Sequence, residues 1–256
     1  MPIKLIIAFF TWIAFINFSH AQSQLTLCAD NSDWFPFIFV KGGKMTGLHV
    51  DIVEQALKNI NVTLTVTPMP WTRCLKELES GNFDGVLTIS YKNSRSDFLH
   101  FPIDASVKKH SDFRVSDVSY WLVTLKDADV YDGTAVSVPQ PVRIPQDWSI
   151  ANDLKLLGIQ VDDGALSVRA NARKLLRDKF GSLVATSDSF KYLVQDEFYR
   201  EQLVLQSKPI KSKNYFLAFS KKSSVDQLMR QKIWQAIKDV RSDEILMLSW
   251  VRQYEF

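Results

Sequence analysis

Two hydroxyl side chains, Thr88 and Ser90, are followed after a short polar turn by a single arginine, Arg95. Such a set can hold an anion. Hydroxyls donate or accept hydrogen bonds, and a planar guanidinium presents a fork of donors that matches a carboxylate. All three lie within residues 83–102, where Val86, Leu87 and Ile89 form an apolar run too short for a helix, which reads as a buried strand. If its C-terminal end opens into a cleft, the strand delivers both hydroxyls and Arg95 to a ligand. The competing reading of the same residues is a strand, a solvated turn and a surface arginine. Asp30, Trp34 and Trp71 also fall on segments that leave expected strand ends, and this common location is the strongest signal in the chain.

Catalytic signatures are missing from the sequence. It contains no Gly-x-Ser-x-Gly, no His-Glu-x-x-His, no glycine loop that would cradle phosphates and no metal-ligand cluster, and His49, His100 and His110 are scattered. No cofactor or metal is therefore expected. The overall charge of +3 is too balanced to imply nucleic acid or an anionic surface as partner. Residues 1–21 carry Lys4, an apolar run of about 12 residues and then Ser19-His20-Ala21, the pattern of a secretory signal cleaved after Ala21. The run is short of the roughly 20 residues that span a bilayer. Export permits a disulfide between Cys28 and Cys74; the alternative is two buried free thiols.

The elements that must position these side chains alternate between strand and helix. Strands are expected over 24–29, 62–66 and 86–89, with helices over 50–59 and 72–80 between them and a hairpin turn at 41–44. This is the order of a parallel α/β lobe. In the aromatic cluster after the first strand, Phe35, Phe37 and Phe39 are expected in the core and Trp34 toward the cleft. Residues 101–117 read as an exposed excursion. Beyond it, strands are expected over 120–125, 135–138, 160–161 and 183–185, and helices over 149–157, 168–179 and 187–195, which suggests a second lobe of similar design. Pro139, Pro141 and Pro145 bar a helix until about residue 147. Two further strands, 203–205 and 215–219, precede an amphipathic helix over 225–254 with Leu228, Ile233, Ile237 and Ile245 on its apolar side.

Taken together, these stretches resemble the family 3 extracellular solute-binding proteins, over nearly the whole mature chain. The resemblance rests on Asp33-Trp34-Phe35-Pro36-Phe37, on Gly47-Leu48-His49-Val50-Asp51-Ile52, on Pro70-Trp71, on 78–85 (Leu-Glu-Ser-Gly-Asn-Phe-Asp-Gly), on Arg95 and on Phe101-Pro102. It implies an α/β, two-lobed periplasmic-binding-protein fold of type II, each lobe a mixed, mostly parallel sheet flanked by helices. Lobe 1 would comprise 22–118 and 209–256 and lobe 2 would comprise 119–208, with hinge crossings near 118 and 208. Ligand would lie between the lobes. Trp34 and Trp71 would stand against it, Ser90 and Arg95 would hold its carboxylate, and Thr88 would be close enough to contribute. The second lobe departs from the family pattern. Gln140-Pro141-Val142-Arg143 stands where a glycine and a hydroxyl residue are usual, and Thr186, with Asp188 two places on, stands where an aspartate often holds the ligand amine. Arg143 would either meet a second anionic group or lie on the surface.

The expected function is that of a monomeric periplasmic protein that captures a small polar solute, anionic or amino-acid-like, and delivers it to a membrane transporter. Two rivals are an exported enzyme on the same scaffold, dehydratase-like, and a ligand-sensing module of a membrane receptor. The enzyme would need a positioned acid or base in the cleft.

Overall fold

The computed structural model describes residues 23–32 and 34–254; the expected signal at 1–21 lies outside the described residues. The chain opens with strand β1 (Ser23–Asp30), the hairpin β2 (Phe39–Lys41) and β3 (Lys44–Thr46), and helix α1 (Leu48–Asn59). Strand β4 (Val62–Met69), helix α2 (Trp71–Ser80), strand β5 (Gly85–Ser90), the single turn α3 (Asn93–Ser96) and β6 (Leu99–His100) follow. Next come β7 (Ser116–Leu125), β8 (Val142–Pro145), α4 (Ile150–Leu156), β9 (Val161–Ala165), α5 (Val168–Asp178), β10 (Ser182–Ala185), α6 (Ser187–Leu193) and α7 (Glu197–Arg200). The last elements are β11 (Leu203–Ser220), α8 (Gln227–Arg241) and α9 (Glu244–Gln253).

One curled mixed sheet runs in the order β4-β1-β5-β11-β7-β10-β8-β9, with β6 paired to β11. At one end β1 pairs in parallel with β4 and β5; at the other β8 pairs in parallel with β10 and β9. The long strands β7 and β11 are antiparallel to each other and join the two parallel sets. Each parallel set is the half-sheet of one lobe, and β7 and β11 run through both. Their ladder loses register between Leu205 and Lys211, around Pro209, whose ring cannot donate to it. Gly85 lets β5 and β11 lie close, because a Cβ there would stand 2.4 Å from the Ala218 carbonyl oxygen.

The helices form where apolar side chains recur at helical spacing. In α1, Ile52, Val53, Ala56 and Leu57 are fully buried, and in α8 the buried set is Ile233, Trp234, Ala236, Ile237 and Val240. These pack in the largest apolar cluster, while Ala172, Leu175 and Leu176 of α5 pack on β10 and β7 in another. A third cluster surrounds Cys28 and Cys74, which are bridged, with Cα atoms 5.7 Å apart, so that β1 is tied to α2.

Several expected elements fall differently. Residues 135–138 are not a strand. Asp132 Oδ1 accepts from Thr134 N (2.7 Å) and Ser137 Oγ (2.6 Å), folding this stretch into a turn instead. The strand begins later, at Val142, and ends on Pro145, where the β8/β9 register shifts. Strands at 203–205 and 215–219 are parts of the single strand β11. The helix expected over 225–254 breaks at Ser242, because the Asp243 carboxylate caps a new helix by accepting from Leu246 N (3.0 Å). Leu228 and Ile245 face outward rather than into the core. In the excursion at 101–117, Asp104 and Ser111 are buried, and Ser111 Oγ donates to Asp104 Oδ1 (2.7 Å).

Candidate functional site

The parallel strands of both lobes end at one place. Asp30 closes β1, Trp71 opens the helix after β4, and Thr88, Ser90 and Arg95 sit at and just beyond the end of β5. Facing them, Asp147, Trp148 and Ser149 follow β8, and Leu166, Ser167 and Val168 follow β9. Together with Trp34, Ile38, Ile89 and Tyr215, these residues line a cavity of about 50 Å³ between the lobes. Loops at the carboxyl ends of parallel strands have their backbone groups released from the ladder, which is why binding sites gather there.

Arg95 holds the centre. It is 6% exposed, and its Nη1 donates to the Ser90 carbonyl oxygen (2.9 Å) and to Ser90 Oγ (3.1 Å). Its Nη2 crosses to lobe 2 and donates to the Asp147 carbonyl oxygen (3.1 Å). The guanidinium also lies over the Trp71 ring, 5.4 Å from its centroid. Burial lowers the Arg95 pKa, yet a guanidinium keeps its charge throughout the physiological range. Among the described residues its hydrogen-bond partners are carbonyl dipoles and a hydroxyl rather than a carboxylate, and the Asp147 carboxylate acts on it only at longer range, so a positive charge is held buried in the cleft. That is an electrostatic environment suited to an anion.

Other direct contacts close the cleft. Ser90 Oγ and Ser149 Oγ are 2.6 Å apart, Lys213 Nζ donates to Asp153 Oδ2 (2.6 Å), and the Trp34 and Trp148 rings approach to 5.8 Å between centroids. At its far side Phe35 stacks on Tyr192 at 5.7 Å. Beneath the cavity the Tyr120 and Tyr215 hydroxyls touch, and burial pushes both pKa values up, so both stay neutral. Trp34 is 9% exposed, packs on Phe37 and Tyr215 and lines the cavity. Among the described residues, Trp34 Nε1 and Thr88 Oγ1 are buried without a hydrogen-bond partner, and both belong to lining residues. Desolvation raises the pKa of Asp30, whose Oδ1 accepts from Ser32 N (3.0 Å). Arg95, Asp147 and Trp148 also border a second cavity of about 440 Å³.

Six of the residues singled out in the sequence therefore meet: Asp30, Trp34, Trp71, Thr88, Ser90 and Arg95. Arg143 and Thr186 do not line the cavity. Arg143 lies near the start of β8, the opposite end from the cleft, and is neither a ligand contact there nor a surface residue. It is 1% exposed, donating to Asp178 Oδ2 (2.8 Å) and to the Phe180 carbonyl oxygen (2.9 Å). Thr186 caps α6, accepting from Ser189 N (3.1 Å) and donating to Ser189 Oγ (2.8 Å). The lobe 2 wall is built instead by Asp147, Trp148, Ser149 and Ser167, which sequence reasoning passed over. The signal for the first three was a polar, aromatic and hydroxyl triplet directly after a strand. Placing that strand at 135–138 rather than at β8 moved the expected wall to 140–143.

Among the described residues no group of three or more His, Cys, Asp or Glu side chains converges to hold a metal, and no helix is long and apolar enough to cross a membrane. The family model for bacterial extracellular solute-binding proteins, family 3, matches residues 25–250. No curated protein sequence matches the chain. A histidine kinase sensor domain with similarity to periplasmic binding proteins is similar in structure, with a TM-score of 0.72, 14% identity, and coverage of 91% of this chain and 96% of that one. A variant of ArgBP from T. maritima superposes with a TM-score of 0.66 at 19% identity, covering 90% of this chain and 96% of that one. The amino acid ABC transporter substrate-binding protein AbpA from Streptococcus pneumoniae, bound to L-arginine, gives 0.65 at 17% identity, with coverage of 91% and 94%. Identities this low establish the shared fold and nothing about the ligand.

Proposed function

The chain belongs to the bacterial extracellular solute-binding proteins, family 3, and from that premise we propose that its cleft captures a small polar solute bearing a carboxylate, anionic or amino-acid-like, and that Arg95 is the clamp. The observation that carries this reading is the position of Arg95: a buried cation at the tip of β5 that touches both lobes and, among the described residues, has no carboxylate at hydrogen-bond distance. A ligand carboxylate would replace the Asp147 carbonyl at Nη2, exchanging a neutral acceptor for a charged one. The hydroxyls of Thr88, Ser90 and Ser149 and the Trp34 N–H would supply further contacts, and the Trp71 and Trp148 rings would cover the apolar part. Admission of a molecule larger than a few waters requires the lobes to part, since about 50 Å³ holds no more than that. Lobe 1 is then 22–118 with 209–256 and lobe 2 is 119–208, flexing where β11 loses register around Pro209. The periplasm is the compartment, the mature protein is a monomer, and the loaded protein presents its solute to a membrane transporter.

The test is calorimetry of the protein and of Arg95→Ala against a panel of L-amino acids and small carboxylates. At least one panel member should bind, and Arg95→Ala should weaken it by about 1.5–3 kcal/mol or more, the contribution of a charge-assisted contact. Undiminished binding by Arg95→Ala overturns the clamp. A second reading, a sensing module for a membrane receptor, is supported by the likeness in fold to the histidine kinase sensor domain. Co-purification with a permease rather than a receptor kinase separates the two.

A further inference from the structure

A groove of about 890 Å³ runs along the outside of lobe 1, between the segment that follows β6 and one side of α8. It shares no lining residue with the cleft. Two large apolar side chains stand at it facing solvent, Ile103 at 93% exposed and Leu228 at 75% exposed. The rings of Phe101, Phe113 and Trp234 form its deeper wall. Exposed apolar surface gathered in one concavity is a mark of an interaction site, whereas single scattered apolar residues are not.

The charges at the groove have one sign. Arg230 and Lys232 line it beside His100, which burial and the neighbouring cations keep neutral by lowering its pKa, and no carboxylate is present among the described residues that do. Lys238 adds a further cation over the Phe113 ring, at 5.8 Å. Two carboxylates lie nearby without lining the groove: Asp226 accepts from Met229 N (2.7 Å) to cap α8, and Asp112 pairs with Lys108 (3.3 Å) and also acts on Lys238. An apolar floor with a basic rim selects a partner that offers apolar side chains flanked by Asp or Glu. Along α8, Leu228, Gln231 and Gln235 recur at i, i+3 and i+7 and make one ridge beside the groove. A second helix packs alongside such a ridge. A second copy of this chain fits poorly, because a two-fold contact would set two basic rims face to face.

We propose that this groove docks an acidic amphipathic helix of a partner protein, independently of what the cleft binds. The probe is a labelled peptide of about four helical turns with leucines along one face and glutamates elsewhere, set against the same peptide with lysines for glutamates, both read by fluorescence anisotropy on the full mature chain. The glutamate peptide should bind, at least about tenfold more tightly than the lysine peptide, and should weaken as salt rises from about 0.05 to about 0.5 M. Ile103→Asp with Leu228→Asp should reduce that binding at least about tenfold, since both are central apolar contacts. Both side chains are exposed, so the fold should be unchanged, as shown by an unaltered melting temperature. Failure of the glutamate peptide to bind, equal affinity for the two peptides, or indifference to the double substitution overturns the proposal. So does a concentration-dependent dimer that the same double substitution abolishes.

Discussion

Arg95 is the residue on which the ligand argument turns, and its type and place were legible early. Among the residues at that strand end only Arg95 presents a charged, planar fork of donor nitrogens, and the short run before it could be nothing longer than a strand. Its partners in lobe 2 were not legible, because the Asp147 carbonyl that Nη2 meets is a backbone group positioned by a residue at φ 61, which side-chain chemistry does not announce. Arg143 shows the opposite failure. A guanidinium can serve an internal ion pair as well as a ligand, and Asp178, which it meets, is 35 residues away in sequence. His49 carries a prediction at this scale. It is buried among aromatic rings, Nε2 lies 2.6 Å from Ser116 Oγ, and desolvation lowers its pKa to about 3. In the unfolded chain the imidazole takes up a proton as pH falls through about 6.5, while the folded protein resists protonation until about 3. Stability should therefore be lost as pH falls through that window, by up to about 1.4 kcal/mol per pH unit from this group. His49→Gln, which keeps a partner for Ser116, should flatten the acid limb measured by urea unfolding. An unchanged limb would show that His49 is not its source.

Among the elements, those fixed by local chemistry were legible and those fixed by distant pairing were not. The run of α1 and α2 follows from apolar periodicity and from Gly81, which takes the left-handed φ of 83 at the end of α2. By contrast the polar stretch within β11, Gln206 to Asn214, has no apolar alternation to mark it as a strand. It is held extended by pairing with β7, as in Lys213 with Val118 and Ser212 with Ser119. The break between α8 and α9 turns on one cap, Asp243, inside a sequence that is otherwise continuously helical in pattern. The Cys28–Cys74 bridge bears on the same scale, since it fastens β1, whose end carries Asp30, to α2, whose start carries Trp71. Closing a loop with a separation of 46 residues should contribute up to about 4 kcal/mol by restricting the unfolded chain. Cys28→Ala with Cys74→Ala should lower the urea midpoint accordingly, and reductant should reproduce the loss in the parent protein but leave the variant untouched. A variant as stable as the parent would assign the bridge no stabilising role.

For the whole molecule, the α/β alternation and the family resemblance conveyed the architecture, and the positions of the parallel strand ends conveyed one wall of the cleft. The opposing wall depended on where a single strand of lobe 2 begins, and the prolines at 139, 141 and 145 obscured it. The arrangement has one mechanical consequence. The residues that would hold a solute on the proposed reading, Arg95, Ser90 and Ser149, are among those that join the lobes, so solute entry would require lobe separation. Locking the cleft tests this most directly. Ser90 and Ser149 stand with their oxygens 2.6 Å apart on opposite lobes, and Ser90→Cys with Ser149→Cys places an oxidisable pair across the mouth. For the panel member that binds best, the oxidised double variant should show no heat of binding, and mild reduction, which leaves the buried Cys28–Cys74 bridge intact, should restore it. Equal binding by the locked and unlocked forms would contradict a site between the lobes.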